Sequence, residues 1–227
     1  MTNKFDWKNI PKKITSWSYS RYSTYTKCPF KAKCKFIDKL PDPGGAAMER
    51  GNTIHKLAED YTLGKVKKLP PELKLFKDQF EELKRSKPQV EQTWAFTKDW
   101  LKTVYNDWQN CALRIKTDAA CVDGDTLYII DHKTGKVYDD NKEQLELYAA
   151  GGGLWFPKVK KIITQLWYLD SGDLKEQSFK ASDTPALRKE WDKRVEPMLN
   201  DTRFAPKPSH ECRWCPFSKS KGGPCKF

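Results

Sequence analysis

The stretch Lys116-Thr117-Asp118-Ala119-Ala120-Cys121-Val122-Asp123-Gly124-Asp125-Thr126-Leu127-Tyr128-Ile129-Ile130-Asp131-His132-Lys133 decides the fold. Two runs of apolar and β-branched residues flank Gly124-Asp125, a dipeptide suited to a two-residue hairpin loop. With that loop at the tip, Asp123 faces Thr126, and counting outward sets Asp118 directly opposite Asp131. Opposed side chains have Cβ atoms ~5 Å apart, so two carboxylates there repel unless a cation sits between them. The arrangement invites a divalent metal. Lys133 shares the face of Asp131 because strand side chains alternate with period two. A lysine there can orient or deprotonate an attacking water, or neutralise charge on a pentavalent phosphate. Asp-x-Lys is common on its own, and a surface hairpin whose charges merely pair is the ordinary alternative.

Outward from the hairpin, short β-branched and aromatic runs predict further strands over 89–97, 161–169 and 174–180, with the hairpin strands over 111–122 and 126–132. Helical periodicity marks 46–63, with Met48, Ile54, Leu57, Ala58 and Tyr61 as its apolar side, and 71–87, with Leu73, Phe76, Phe80 and Leu83. A short helix runs into Cys28-Pro29, another covers 141–150, and Thr184-Pro185 opens a last one with cap and N1 proline in order. Helices on both sides of a central mixed sheet make an α/β domain.

Two helices add polar groups to the hairpin. Gly51 precedes His55 by one turn, so that helix face can approach the sheet closely. Gln144 and Tyr148 are four apart and project side by side, able to contact a phosphate or brace Lys133. Each has an ordinary reading as well: a satisfied core histidine, a core tyrosine, a solvated glutamine.

The chain has 227 residues, and its 42 Lys+Arg against 30 Asp+Glu leave a net charge of +12. Such a basic surface favours a polyanionic partner, nucleic acid first, through release of condensed counterions. A mean hydropathy of −0.81 is polar, yet nine Trp, nine Tyr and eleven Phe supply a core and argue against disorder. No apolar run approaches a membrane span, and Met1-Thr2-Asn3-Lys4-Phe5 carries no apolar signal region, so a cytoplasmic protein without membrane contact is expected. No P-loop motif is present, which excludes a built-in ATP-driven motor.

Seven cysteines, unevenly spaced, do not suit a disulfide framework. Cys212, Cys215 and Cys225 have ligand spacing, because two thiolates on one turn reach the same metal or cluster, and Cys28 leads as the fourth ligand, with Cys34 in competition. Four thiolates suit a [4Fe-4S] cluster or a structural zinc, and spacing does not decide between them. Cys111 and Cys121 read as small buried thiols. Basic and aromatic residues gather near the two cysteine segments: Lys12, Lys13, Arg21, Lys27, Lys31, Lys33 and Lys35 at one end and Arg213, Trp214, Lys219 and Lys221 at the other. As a group they form a candidate path for single-stranded DNA.

Taken together these residues resemble the PD-(D/E)XK nuclease superfamily, in particular its RecB-type branch, which includes the AddB nuclease domain and the CRISPR-associated iron-sulfur exonucleases. Ser18-Tyr19-Ser20-Arg21-Tyr22 with Cys28-Pro29 is similar to that branch's opening helix and first cluster cysteine. Gly51 to His55 resembles its histidine motif, Asp118 its first acid, Asp131-His132-Lys133 its D-x-K motif and Gln144-Leu145-Glu146-Leu147-Tyr148 its Q-x3-Y motif. Cys212, Cys215 and Cys225 resemble the closing cysteines, although the gap from Cys215 to Cys225 is longer than is common in the branch.

The resemblance implies a restriction-endonuclease-like core in a single nuclease domain over 1–227. Residues 46–199 would be catalytic, with 15–45 and 200–227 forming a lobe joined by the cysteine-ligated cluster. By that similarity His55, Asp118, Asp131 and the main-chain carbonyl of His132 hold Mg²⁺ or Mn²⁺. Lys133 is the catalytic lysine, Gln144 and Tyr148 support the site, and Glu91 is a further acidic contributor. Similarity also favours iron-sulfur over zinc and Cys28 over Cys34. The implied activity is hydrolysis of DNA, at ends or in single strands, in replication, repair or recombination, beside a helicase or recombination protein. A non-catalytic DNA-binding adaptor on the same fold and an RNA-cleaving nuclease are the alternatives.

Overall fold

Six strands make one sheet in the computed structural model, which describes residues 13–137 and 141–227. They are β1 (Gln89–Phe96), β2 (Lys102–Thr103), β3 (Leu113–Asp123), β4 (Thr126–Lys133), β5 (Lys161–Tyr168) and β6 (Asp173–Lys180), in the order β2-β1-β3-β4-β5-β6. Gly124 adopts a φ of 58°, and β3 and β4 pair antiparallel with Asp123 opposite Thr126, the hairpin register expected. β4 and β5 pair in parallel while the other neighbours are antiparallel, so the sheet is mixed. A parallel pair needs a long crossover, and the helix Lys142–Trp155 between these strands provides it.

Among the described residues the α-helices are α1 (Tyr19–Lys27), α2 (Pro29–Ala32), α3 (Ala46–Thr62), α4 (Lys77–Arg85), α5 (Lys142–Trp155) and α6 (Thr184–Asn200). Ile54, Ala58 and Tyr61 of α3 and Phe80 and Leu83 of α4 share a buried cluster with Ala119, Ile130 and Trp167 of the sheet. The other face carries α5. Helices therefore cover both faces of the central strands, and β4 reads as a nearly continuous buried run, as a strand covered on both sides should. The α/β class stands, with a sheet consistent with a restriction-endonuclease-like core.

Local differences from the sequence reading have physical causes. The expected helix over 71–87 begins as a 3-10 turn, Pro71–Phe76, and becomes α-helical only from Lys77. Met48, expected on the apolar side of α3, is 51% exposed. The two-residue edge strand β2 is too short to show any alternation. Cys34 is buried on a π-turn, Lys33–Ile37, and Cys111 is buried just before β3, while Cys121 in β3 is half-buried.

The largest difference is in α5, which continues beyond 150 through Gly151-Gly152-Gly153 to Trp155. Each glycine costs a helix about 1 kcal/mol relative to alanine, so periodicity alone ends the helix there. Close approach to the sheet outweighs that cost. A Cβ on Gly151 would lie 2.3 Å from Ile115 Cδ1, and one on Gly152 would lie 2.7 Å from Ile129 Cδ1 and 2.9 Å from Leu127 Cδ2.

The chain divides into two compact units, one made by the segments up to residue 43 and from residue 192, the other by 44–191. In the first, the Tyr25 hydroxyl donates to Asp201 Oδ2 at 2.9 Å and to the Pro197 carbonyl at 3.2 Å, and the Tyr25 ring meets Phe204 edge-on. Burial and the Asp201 carboxylate push the Tyr25 pKa up to about 12. The sheet and the helices covering it belong to the second unit. No helix is long and apolar enough to cross a membrane among the described residues.

Filling the contact beneath α5 tests its packing. Gly152→Val should destabilise the protein by about 1–3 kcal/mol through overpacking, read as a lower denaturant midpoint, whereas Gly124→Asn in the hairpin turn should change it far less.

Candidate active site

β3 changes face at Asp118. Ile115 packs onto α5 through Gly151, yet Ala119, four residues on, lies in the cluster with Ile54 and Ala58 of α3. Strict alternation would keep both on one face. The register is the same on either side, with Val90 opposite Ala119 and Gln92 opposite Thr117, but the rung between them, Glu91 with Asp118, is missing from the ladder. Glu91 takes a left-handed φ of 54°. One residue on each strand turns over, and the irregularity aims Asp118 at α3. Backbone strain of this kind gathers at functional sites.

Asp118 organises what it meets there. Its Oδ1 lies 3.1 Å from His55 Nδ1, and its Oδ2 accepts the His132 main-chain N–H at 2.6 Å. His132 Nδ1 is 3.6 Å from the same Oδ2. Burial works to raise the Asp118 pKa, but the hydrogen bond from His55 and the charge of His132 outweigh it and hold the carboxyl below its usual range. Burial likewise lowers His55, and the bond and charge of Asp118 lift it above the ordinary histidine value. Burial lowers the His132 pKa below the ordinary histidine value, against the pull of the Asp118 charge. His132 packs among Phe80 and Trp167, and its Nε2 has no hydrogen-bond partner.

One ligand atom each from His55, Asp118 and His132 lies within 4.8 Å of the others, a group able to hold a metal ion. The donors fit a divalent ion: the carboxylate suits Mg²⁺ or Mn²⁺ and imidazole suits first-row metals, and His132 Nε2 is a buried imidazole nitrogen without a hydrogen-bond partner. The resemblance offers the main-chain carbonyl of His132, whereas the structure brings its side chain to the group. Nothing in the sequence distinguishes that side chain, because the register puts it on the face opposite Asp131 and Lys133.

Asp131 and Lys133 point towards α5. The Tyr148 hydroxyl donates to Asp131 Oδ1, Gln144 Nε2 donates to the same oxygen at 3.2 Å, and Gln144 Oε1 accepts from Lys133 Nζ at 2.7 Å. Lys133 Nζ also lies 2.7 Å from Asp131 Oδ2 but is not aligned as a hydrogen bond to it, so that buried oxygen retains an open lone pair. Burial and the Asp131 carboxylate push the Tyr148 pKa well above its ordinary value, and it stays a donor. The direct opposition of Asp118 and Asp131 expected from the hairpin count is not part of the ladder, which is paired as far as Ala119 with Ile130; Asp118 bonds to His55 of α3 and Asp131 to Gln144 and Tyr148 of α5. His55 still feels the charge of both and of Glu91. Glu91 itself pairs with Lys116 Nζ at 2.5 Å.

The loop after β4 is fastened to α3. Arg50 makes two hydrogen bonds to Asp170, at 2.9 and 2.5 Å, and Asp170 Oδ2 accepts the Gly135 N–H at 2.6 Å. Gly51 meets Thr134 in the same place: a Cβ there would lie 3.2 Å from Thr134 Oγ1. The close approach that Gly51 offers in the sequence is realised.

In the other unit, Cys28, Cys212, Cys215 and Cys225 line one cavity, together with Lys27, Lys31 and Lys207. The main-chain N–H of Lys207 donates to Cys28 Sγ at 3.5 Å and that of Ser209 to Cys212 Sγ at 3.4 Å. Cys34 does not line the cavity, and burial together with Asp38 pushes its pKa up to about 11. Of the proposed basic path, Lys12 lies outside the described residues. Lys33 and Lys35 are taken by Asp38 and Asp42 at 2.6 and 2.7 Å, and Arg213 sits 3.8 Å over the exposed Trp214 ring.

A family model for the PD-(D/E)XK nuclease superfamily matches residues 16–220. The chain belongs to that superfamily. Membership supports a nuclease, and PD-(D/E)XK nucleases use divalent metals. A provisionally assigned exonuclease from Eubacterium rectale is 14% identical, with 95% of this chain and 92% of that chain covered and a TM-score of 0.51. At that identity the likeness is one of fold. SSO0001 is 15% identical over 96% of this chain and 91% of that chain, with a TM-score of 0.45. No curated protein matches.

The Gln144 contacts make a specific expectation for this PD-(D/E)XK site. Gln144→Leu keeps the volume but leaves Lys133 without its acceptor and Asp131 with one donor fewer. Turnover should fall at least about tenfold, the scale of one buried hydrogen bond to a charged group, while the affinity of the protein for nucleic acid, read by fluorescence anisotropy, should stay within a factor of about two.

Proposed function

We propose that the chain is a metal-dependent DNA nuclease, an exonuclease hydrolysing phosphodiester bonds at DNA ends or in single strands. The observation that carries this reading is Lys133, whose ammonium is held between Asp131 and Gln144 in the same unit as the His55–Asp118–His132 group. His55 and Asp118, with His132 and Asp131, would hold Mg²⁺ or Mn²⁺. When bound, such an ion polarises a phosphoryl oxygen and lowers the pKa of a coordinated water. The chain's own groups do the rest. Gln144 and Tyr148 fix Asp131, Asp131 and Gln144 fix the Lys133 ammonium, and that ammonium faces the charge that develops on the phosphate or orients the attacking water. Glu91 stands by with Lys116 as a further acid.

The cysteine cavity supports a cofactor of its own. Four thiols on one cavity, two of them accepting main-chain N–H groups, suit a cluster whose sulfurs need hydrogen-bond donors. A [4Fe-4S] cluster is our reading and a structural Zn²⁺ its rival. Either would be structural, because a fully thiolate-ligated site keeps no open position. The RecB-type branch, a setting in replication, repair or recombination and a helicase or recombination partner complete the proposal. The intact Asp118, Asp131 and Lys133 argue against an adaptor that has lost its chemistry.

Two measurements test this. Labelled single- and double-stranded DNA and RNA should show degradation of DNA with Mg²⁺ or Mn²⁺, loss of activity with a chelator and a fall of at least about a thousandfold for Lys133→Ala. If wild type leaves every substrate intact while binding DNA, the adaptor is the better account, and cleavage of RNA alone selects the other alternative. Protein purified without oxygen should be coloured and contain iron, and Cys212→Ser should lose both. A colourless wild type with one zinc per chain would overturn the cluster.

A further inference from the structure

On the half of the sheet away from α3, β3 carries a group that the site above does not use, Arg114. Arg114 and Lys116 share one face of the strand with Asp118, since Ile115 between them packs onto α5 and Asp118 meets His55. Beside Arg114 stands the loop between β2 and β3. Its Trp108 is 76% exposed and its Tyr105 51% exposed, as are Leu101 and Val104 next to them at 66% and 69%. Four large apolar side chains in eight residues facing water are a patch with a purpose, not scattered exposure.

The patch is built, not loose. The Arg114 guanidinium lies 4.9 Å from the Tyr105 ring centre and 5.3 Å from that of Trp108, while its Nε and Nη2 donate to the Tyr105 carbonyl at 3.3 and 3.0 Å. The two rings meet at 6.4 Å and 69°. Asp107 ties the loop from within: its carboxylate accepts from Thr103 at 2.7 Å and from the Asn110 main chain at 3.0 Å, and the Cys111 N–H donates to its carbonyl at 2.8 Å. Rings held this way lose little freedom when something stacks on them.

We propose that Trp108 and Tyr105, backed by Arg114, form a stacking platform for unpaired bases of single-stranded DNA leading to or from the metal site. The proposal rests on the nuclease reading and names the form of its substrate. Along β3, Arg114 lies about 13 Å from Asp118 at ~3.3 Å per residue, a run of roughly four nucleotides at ~3.4 Å stacked spacing. Exposed aromatic faces beside a guanidinium take any base by its π-face and the backbone by its charge. The same charges, on a chain of net +12, repel a second copy of the chain and attract a polyanion, so DNA is the occupant that complements the patch. Inside a duplex every base face is stacked and only the terminal pairs leave one free, so the platform discriminates by strandedness.

The test uses the full chain as Lys133→Ala, so that binding is read without cleavage. Fluorescence anisotropy with a labelled thymidine oligonucleotide and with a blunt duplex should show that Trp108→Ala weakens the oligonucleotide about tenfold and the duplex less than about twofold. Trp108→Phe, which keeps a ring, should recover most of the loss, an outcome that misfolding would not produce. Equal weakening of both substrates, or none, overturns the platform. So does a concentration-dependent dimer that Trp108→Ala abolishes, which would give the patch to a second copy. Cleavage by the otherwise wild-type chain is measured separately: a protein that cuts nothing yet binds the oligonucleotide through Trp108 sinks the nuclease reading and leaves the platform standing.

Discussion

The hydrogen bond from the His132 main chain to Asp118 Oδ2 is the contact on which the site depends. The β3–β4 ladder is paired as far as Ala119 with Ile130, and one step beyond, a side-chain carboxylate takes the amide of the neighbouring strand. A buried N–H must find an acceptor, and by supplying one Asp118 can leave the regular sheet without leaving an orphan. Its other oxygen is then free for His55, so one carboxylate links β3, β4 and α3. The left-handed turn of Glu91 on the facing strand is the counterpart of this departure.

Around that contact the site is assembled from two helices of different character. α3 contributes a histidine and approaches through Gly51, with Arg50 and Asp170 fastening the loop after β4. α5 contributes Gln144 and Tyr148, which hold the Asp131 and Lys133 pair from the other side. The His55–Asp118–His132 group and the Lys133 ammonium thus reach one strand end from opposite faces of the sheet, and the alternation of Asp131, His132 and Lys133 along β4 is what lets a single strand serve both.

Much of this was legible in the sequence because it depends on periodicity and spacing. The hairpin at Gly124, the pairing face of Asp131 with Lys133 and the side-by-side Gln144 and Tyr148 follow from counting residues, and the structure has all of them. Counting failed where a residue leaves its regular conformation. It assumes unbroken alternation through Asp118 and therefore puts that carboxylate against Asp131, and it gives no role to the His132 imidazole. Nor does it foresee a helix through Gly151-Gly152-Gly153, whose stability comes from contacts with distant strands. The exposed rings of Tyr105 and Trp108 against Arg114 went unnoticed for a related reason, since a loop has no period to read.

The three glycines of α5 carry a consequence for how this protein can vary. Gly152 lies eight residues from Gln144, about 12 Å along the helix at 1.5 Å per residue, and the atoms nearest a Cβ there belong to Ile129, Leu127 and Trp94. Its missing side chain nevertheless sets how low the helix rides on Leu127 and Ile129, and a rigid rod lifted at one end carries its other end with it. The reach of Gln144 to Lys133 is gauged by a shim of zero thickness, so an inert position beneath the helix constrains that hydrogen bond as firmly as the two residues that make it.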